Sequence, residues 1–468
     1  MRALLIILFC LTQCFTHAQE TWSLKQCIDY AFEHNLQVKQ SEINVAMQQE
    51  RIIANKGQRL PNLNGYASHT YNFGQRIDPF TNQFANSRVQ SNNFYLNSSV
   101  TLFNGFQTKN NIKKSLIDYQ IQEQNTEKIK NDIALAIAAN YLQILFNEEA
   151  IKITQQQMAI TDQQIKRIDK LVRSGTVPEG NLLDLQAQSA SDEMNLVSAE
   201  NQFTISTLYL KQLLQLDSIS DFRIVIPETS MDEKLLVSST PGQVYDAAIN
   251  IMPAIKSSQL QIESAETNHL SAQGRRYPSL SFSGSLGTGY SGLSKNTEIT
   301  GVSLDEAGQT SAGEQVYLYN PIIESSKKSF GAQSADNFNQ SIGFNLSIPI
   351  FNGFSTKTAM ESAKLNKEAA ELQLQQTENQ LRNDIEQAHV DAVSAMKKYM
   401  ATEKALVAQK LSFEYAQKRF EVGMMNSVDF NSSKNKLANT ESQLIQSKYD
   451  YLFKIKILEF YQGKSLEF

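Results

Sequence analysis

Leu102-Phe103-Asn104-Gly105-Phe106-Gln107-Thr108-Lys109 returns 248 positions later as Ile350-Phe351-Asn352-Gly353-Phe354-Ser355-Thr356-Lys357. The register then holds without a gap, so that Gly175 falls on Gly423 and Leu210 on Leu458. Upstream of the motif the shift is 217, carrying Ala31 onto Ala248, Lys39 onto Lys256, Arg59 onto Arg276 and Pro61 onto Pro278. The two registers differ by 31 residues, which places an insertion between Pro278 and Phe351. A repeat of this length is far too long for a solenoid unit. The chain therefore reads as two large half-domains in tandem, 19–238 and 239–468.

On the C-terminal side of each motif the hydrophobic period is helical. No Gly or Pro interrupts the chain from Gln107 to Ser174, and Ile129, Ile133, Ile137, Tyr141, Leu145, Ile165, Ile168 and Val172 keep one apolar stripe. This predicts a single amphipathic helix of roughly 100 Å at 1.5 Å per residue. The second copy repeats it from Phe354 to Val422, and returning helices follow at about Leu182–Leu214 and Val428–Tyr461. Each copy thus carries a long helical hairpin, turning near 175 and near 423, with coiled-coil-like packing.

On the N-terminal side the period is two. Phe94, Leu96, Val100 and Leu102 alternate with Tyr95, Asn97, Ser99 and Thr101, and Ile342, Phe344, Leu346, Ile348 and Ile350 with Ser341, Gly343, Asn345 and Ser347. Ser279 to Leu286 alternates in the same way, while Leu63 to Phe73 matches less well, with Tyr66 on the other parity. Two strands are therefore expected within about 62–103 and two within about 279–350. Alternation over about ten residues fits a membrane β-strand, and equally an antiparallel sheet with one wet face. Export and very long helices favour the membrane strand. Four strands cannot close a barrel, and lipid tolerates no open sheet edge, so several copies must share one barrel. A dimer would supply eight strands, filled by side chains; a trimer would supply twelve, with room for a lumen.

Met1-Arg2, the apolar run Ala3 to Leu11 and Thr16-His17-Ala18 describe a signal peptide, 1–18. A lipoprotein alternative runs through Leu11-Thr12-Gln13-Cys14. After cleavage only Cys27 remains, which leaves no intramolecular disulfide. No later segment has the ~18 consecutive apolar residues of a transmembrane helix. A net charge of −5 without a basic block argues against nucleic acid as a partner.

Taken in order, the signal peptide, the duplicated halves, two strand pairs, two long hairpins and the FNGF junctions resemble the TolC-like outer-membrane factor family over about Trp22 to Leu466. Local motifs carry the likeness. Asn35-Leu36-Gln37-Val38 and Met252-Pro253-Ala254-Ile255 are similar to the family's break after its opening helix, and Arg59-Leu60-Pro61 and Arg276-Tyr277-Pro278 to its helix-to-strand entry. Pro349 marks the way back to helix in the second copy, where the first has Thr101. The resemblance implies a mixed α/β membrane protein: a homotrimeric 12-stranded β-barrel, four strands per protomer, continuing into a long α-helical barrel with an equatorial domain. It implies an exit channel in the outer membrane of a Gram-negative bacterium, extending into the periplasm and serving a tripartite efflux pump or type I secretion system. The implied partners are a periplasmic adaptor (membrane fusion) protein, an inner-membrane transporter and outer-membrane lipid.

The hairpin turns carry the closest resemblance. Val172, Arg173, Gly175 and Val177, with Val422, Gly423 and Met424, are similar to the tips that meet the adaptor. In the family an Asp six residues past the second Gly faces the closed end of the channel. That position is Asp429 here, Ser432 stands where the prototype has a second Asp, and Asn181 and Asp184 are the first-copy counterparts. A helix-terminal carboxylate stabilised by the helix dipole is the plainer reading of Asp429, but Val428-Asp429-Phe430 follows the family's tip pattern and favours the gate. Gly105 and Gly353 are expected to shape the strand-helix junctions, together with Pro61, Pro278 and Pro349.

Catalytic chemistry is not in evidence. Gly287-Thr288-Gly289-Tyr290-Ser291-Gly292 spells a dinucleotide fingerprint, but no helical pattern follows it, so it reads as a Gly-rich strand end. His34, His69, His269 and His389 have no ligand spacing. Neither an enzyme nor a cofactor is expected. The competing class is an exported structural protein, a coiled-coil or adhesin stalk, which has no use for period-two pairs at matched positions. The insertion between about 290 and 336, rich in Gly, Ser, Thr and Asn, reads as an extracellular loop.

Overall fold

The computed structural model describes residues 21–85, 88–217, 222–226 and 239–466; the expected signal peptide, 1–18 with Cys14, lies outside the described residues. The first copy runs β1 (Thr21–Trp22), α1 (Leu24–His34), α2 (Leu36–Gly57), β2 (Asn62–Asn72), β3 (Arg76–Ile77), β4 (Phe84–Ala85), β5 (Val89–Asn104), α3 (Gln107–Arg173), α4 (Glu179–Leu214) and β6 (Arg223–Ile224). The second runs α5 (Pro241–Ile251), α6 (Pro253–Gly274), β7 (Ser279–Ser291), β8 (Lys295–Gln309), β9 (Gln315–Lys327), α7 (Phe330–Asp336), β10 (Asn339–Ser347), α8 (Ser355–Glu421) and α9 (Ser427–Tyr461). The two uninterrupted helices, α3 and α8, are each 67 residues long. Among the described residues no helix is long and apolar enough to cross a membrane.

The described residues divide into two compact units, and each draws on both repeats: one takes those within 1–49, 117–263 and 368–468, the other those within 50–116 and 264–367. In the first unit the stripe of α3 is buried as Ile133, Ile137, Tyr141, Ile144 and Leu145, against Leu24, Cys27 and Ala31 of α1 and Leu210 and Leu214 of α4. The Tyr141 hydroxyl donates to Val225 O at 2.5 Å and Trp22 O at 3.2 Å, tying the parallel pair β1–β6 to this core. Cys27 is free and buried, and burial pushes its thiol up to about 12. Both repeats start their first helix with a capping box, Ser23 with Gln26 and Thr240 with Gln243, which satisfies two otherwise unpaired backbone amides. Asn35 separates α1 from α2, accepting from Gln37 N while its amide donates to Leu213 O.

The second unit holds a four-stranded antiparallel sheet in the order β10-β7-β5-β2. Its register assigns the faces, because directly opposed residues share one. Leu96 faces Gly65 and Leu286, Val100 faces Phe282, and Phe282 faces Phe344. Tyr66 opposes Tyr95 on the other face, among Asn97, Ser99, Ser283 and Ser285, which accounts for its odd parity in the sequence. A bulge at Leu102 shifts the register before β5 ends. The Gly287–Gly292 run lies at the end of β7 rather than before a helix.

The recurring motif is a strand-to-helix corner. Gly105 and Phe106 both take positive φ (64° and 63°), as do Gly353 and Phe354 (60° and 64°). The Asn before them caps the following helix: Asn104 Oδ1 accepts from Thr108 N and its amide donates to Thr108 Oγ1, and Asn352 with Thr356 does the same. Phe103 meets Phe106 edge-to-face at 5.3 Å and Phe351 meets Phe354 at 5.6 Å. Asn, Gly, Phe and Thr are therefore all used by the turn. Pro61 and Pro278 immediately precede β2 and β7. Pro349 follows the end of β10 at Ser347, whereas β5, with Thr101, continues to Asn104; a proline lacks the N–H that a longer ladder would need.

The inserted segment, expected as a loop, is instead an antiparallel hairpin, β8–β9, followed by α7. Bulges at Thr300 and Ala307 break its parity, and that break hides the strands from a period-two reading of the sequence.

Candidate functional site at the helical tips

Helices α3 and α8 end identically. Gly175 N bonds Val172 O and Thr176 N bonds Leu171 O; Gly423 N bonds Phe420 O and Met424 N bonds Arg419 O. These paired bonds form a Schellman cap at each tip, with Gly175 (φ 71°) and Gly423 (φ 78°) in the left-handed conformation that the cap requires. Arg173 reaches back to Asp169 at 3.0 Å, and Arg167 donates to Glu421 O, placing a cation at the C-terminal end of α8.

The seven docking residues separate into two groups. Val422 and Met424 are 70% and 73% exposed, beside exposed Arg173, Gly175 and Gly423. Val172 and Val177 instead pack against a cluster of Ile168, Leu185, Phe413, Phe420, Phe430 and Leu437. Phe430 is the hub of that cluster, stacked on Phe420 at 4.5 Å and tilted against Phe413 at 5.7 Å. The exposed apolar surface at the tips is thus concentrated in the second copy.

Asp429 lies in the first turn of α9, exposed, where Asn426 accepts from its amide at 2.7 Å and donates to its Oδ2 at 3.0 Å. Asp184 accepts from the Ser427 hydroxyl at 3.0 Å, joining α4 to the start of α9. Ser432 is exposed and Asn181 half-buried. Of the four gate candidates, Asp184 and Asp429 are thus both held at the α9 N-terminus, through Ser427 and Asn426, and Asn181 and Ser432 lie on the adjoining turns of α4 and α9.

A group that pattern reading misses sits one turn deeper. Lys434 is fully buried, with its ammonium 2.6 Å from Asp192 Oδ2 of α4 and donating to Thr161 Oγ1 of α3. Burial lowers the lysine pKa, and the pairing with Asp192 offsets only part of that. Gln188 donates to the other Asp192 oxygen at 2.8 Å. Among the described residues, the buried side-chain atoms without a hydrogen-bond partner are Gln157 Oε1, Gln164 Oε1 and Asn431 Oδ1, all on the turns around this pair. A polar cavity of about 450 Å³, lined by Gln157, Gln188, Asp192, Asn195, Asn435 and Asn439, adjoins it. The signal in the sequence is a lysine between Phe430 and Leu437, on the row where helical spacing places core residues. The duplication shift puts Gln409, Thr440 and Gln186 opposite Thr161, Asp192 and Lys434, so the buried pair is not repeated.

No cluster of His, Cys, Asp and Glu fit for a metal occurs among the described residues. The profile of a family described as outer membrane efflux protein matches residues 27–215 and 244–459. The chain is 20% identical to the outer membrane efflux protein BepC of Brucella suis over 422 residues, covering 90% of this chain and 80% of that protein. Among solved structures, VceC, an outer membrane protein of Vibrio cholerae, superposes with a TM-score of 0.71 at 16% identity, covering 95% of this chain and 97% of that one. The Campylobacter jejuni outer membrane channel CmeC gives 0.73 at 18% identity, covering 94% and 85%.

Proposed function

The chain belongs to the outer membrane efflux protein family, whose members are outer-membrane channels rather than enzymes, and from that premise we propose that three copies form a passive, gated duct serving a tripartite efflux pump or a type I secretion system. The observation that carries this reading is the four-stranded sheet. Its edge strands β2 and β10 are each paired on one side only, and its apolar face leaves Leu96, Leu286, Ile342, Phe344 and Leu346 exposed. An apolar sheet face of this size is a liability in water and an asset in lipid, but lipid tolerates no unpaired edge. Joining β10 of one copy to β2 of the next satisfies both demands, and three copies give a ring of twelve strands whose Ser- and Asn-rich face turns to the lumen. Phe106, Phe351 and Phe354, exposed at the corners where strands become helices, suit the aromatic girdle of a membrane interface.

In this assembly the tips meet a periplasmic adaptor through Val422 and Met424, and the adaptor couples the duct to an inner-membrane transporter that supplies the energy. Asp429, one per copy, contributes a ring of carboxylates at the tip end of the duct. Unheated electrophoresis of detergent-extracted protein tests the assembly, with a trimer that collapses to monomer on boiling as the expected result. Planar-bilayer recording should then give discrete conductance steps. Monomers without conductance would refute the duct.

A further inference from the structure

The hairpin inserted into the second copy alone has a face that its own sheet partner does not cover. Across β8 and β9, Ile299 opposes Ile323, Val302 opposes Pro321, Leu304 opposes Tyr319, and Glu306 opposes Tyr317. The bulge at Thr300 drops one residue out of the ladder, so Ile299 and Val302, of opposite parity in sequence, come to the same face. That face is apolar along its middle, with Lys295–Lys327 and Thr297–Ser325 toward the base and Gln309–Gln315 at the tip, and Ile299, Val302, Leu304, Tyr317, Tyr319 and Ile323 are all exposed. On the other face Glu298 opposes Glu324 and Ser303 opposes Asn320, and its three apolar side chains stand among these polar groups. A two-stranded ribbon in water is marginal by itself.

The hairpin is nevertheless fastened at its base. Ser291, at the end of β7, is fully buried; its hydroxyl donates to Asp78 Oδ2 at 2.6 Å and its backbone exchanges bonds with the buried Gln333 side chain. Lys328 N closes the base onto Ser294 O at 3.1 Å. Burial opposes ionisation of Asp78, but bonds from Ser291, from the Thr81 and Phe80 amides and from the Thr81 hydroxyl outweigh it and hold the carboxyl below its usual range. The mount lies at the end of the sheet opposite Pro61, Gly105, Pro278 and Pro349, where the strands join the helices.

We propose that the apolar faces of β8–β9 in neighbouring copies of this chain pack against one another at the outer mouth of the duct. This rests on the trimer proposed above, which brings three identical mounts to one rim around one axis. Each face offers roughly 600 Å² of apolar surface, so two in contact bury roughly 1,200 Å², the lower end of a specific interface. Water and a polysaccharide layer provide no apolar cover, whereas the same face is present on every copy.

Val302→Cys and Leu304→Cys in the full-length protein test this in outer membranes of expressing cells, with Ser303→Cys on the opposite face as the control. Cys27 is buried with its pKa raised and does not interfere. Under copper-phenanthroline oxidation, either apolar-face variant is expected to give one disulfide-linked pair per trimer, with the third chain unlinked, and Ser303→Cys none. Four results would overturn the proposal. In an intact trimer, rapid labelling by a water-soluble maleimide means an open face. Quenching of an attached fluorophore by brominated lipid means a lipid cover, and protection without linkage means another protein. Loss of the wild-type trimer on unheated gels removes this proposal together with the duct, which separates that failure from the other three.

Discussion

Truncating Lys434 to Ala leaves the Asp192 carboxylate buried without its cation, in a place where Lys434 and Asp192 side chains are 0% and 4% exposed. Breaking a buried pair from one side costs about 3–5 kcal/mol, because the remaining charge is neither solvated nor matched. Lys434→Met keeps the aliphatic stem and isolates the loss of charge, and most of that penalty is expected to remain. The double variant Lys434→Met with Asp192→Leu removes both charges, and a buried pair replaced by apolar residues is usually neutral or stabilised by about 1–4 kcal/mol. Thr161 stays satisfied in that variant, since its hydroxyl also bonds Gln157 O at 3.1 Å. Global unfolding of a membrane assembly is not two-state, so the readout is local: hydrogen exchange of backbone amides around 427–440 in outer-membrane vesicles. The single variants should lose roughly two to three and a half powers of ten in protection and the double variant should recover most of it. A single variant within tenfold of wild type, or a double variant no better than the single, would show that the pair does not hold the three helices together.

Gly423→Trp places a bulky side chain at a left-handed position of the tip, and should abolish efflux while leaving trimers in the outer membrane; undiminished efflux would remove the tip from adaptor docking. Asp429→Ala should lower cation selectivity and weaken block by trivalent cations in planar bilayers, because it would remove the proposed ring of like charges; if only helix protection near 427 changes, the carboxylate serves as a cap and nothing more. Asp78 is held below its usual pKa, so its contribution is fully present above the ordinary aspartate value of 3.8 and is lost as pH falls through the lower folded value. Proteolysis within 295–327 should therefore accelerate only in strongly acid buffer, and Asp78→Asn should make it fast and pH-independent; a wild-type transition near pH 6 would contradict this.

The helices were legible because their signals are redundant: no Gly or Pro from Gln107 to Ser174, an apolar stripe along one face, and a Gly at each cap. Strands β5, β7 and β10 were legible through strict alternation, and β2 only partly, since Tyr66 belongs to the Tyr95 face and looks out of phase in one dimension. The β8–β9 hairpin was not legible, because single-residue bulges reverse parity twice and pairing is needed to see the faces. At the tips, sequence located Asp429 but could not tell that Asn426 holds it, nor that Val172 and Val177 turn inward while Val422 and Met424 turn outward. Lys434 was missed, because its partners lie 242 and 273 positions away, on two other helices.

The two FNGF corners share a backbone, but only the first finds its neighbours within one chain. A methyl group on Gly105 would run into Gly274 O and the Tyr277 side chain, whereas the same group on Gly353 meets nothing within 4 Å. The shift of 217 carries Gly274 onto Gly57, so in the proposed trimer Gly57 of the next copy would stand against Gly353 as Gly274 stands against Gly105, and a side chain at either glycine should cost assembly. Asn or Asp at Gly353 with no loss of trimer would mean that the second corner stays open in the assembly, and that copies do not join through β10 and β2.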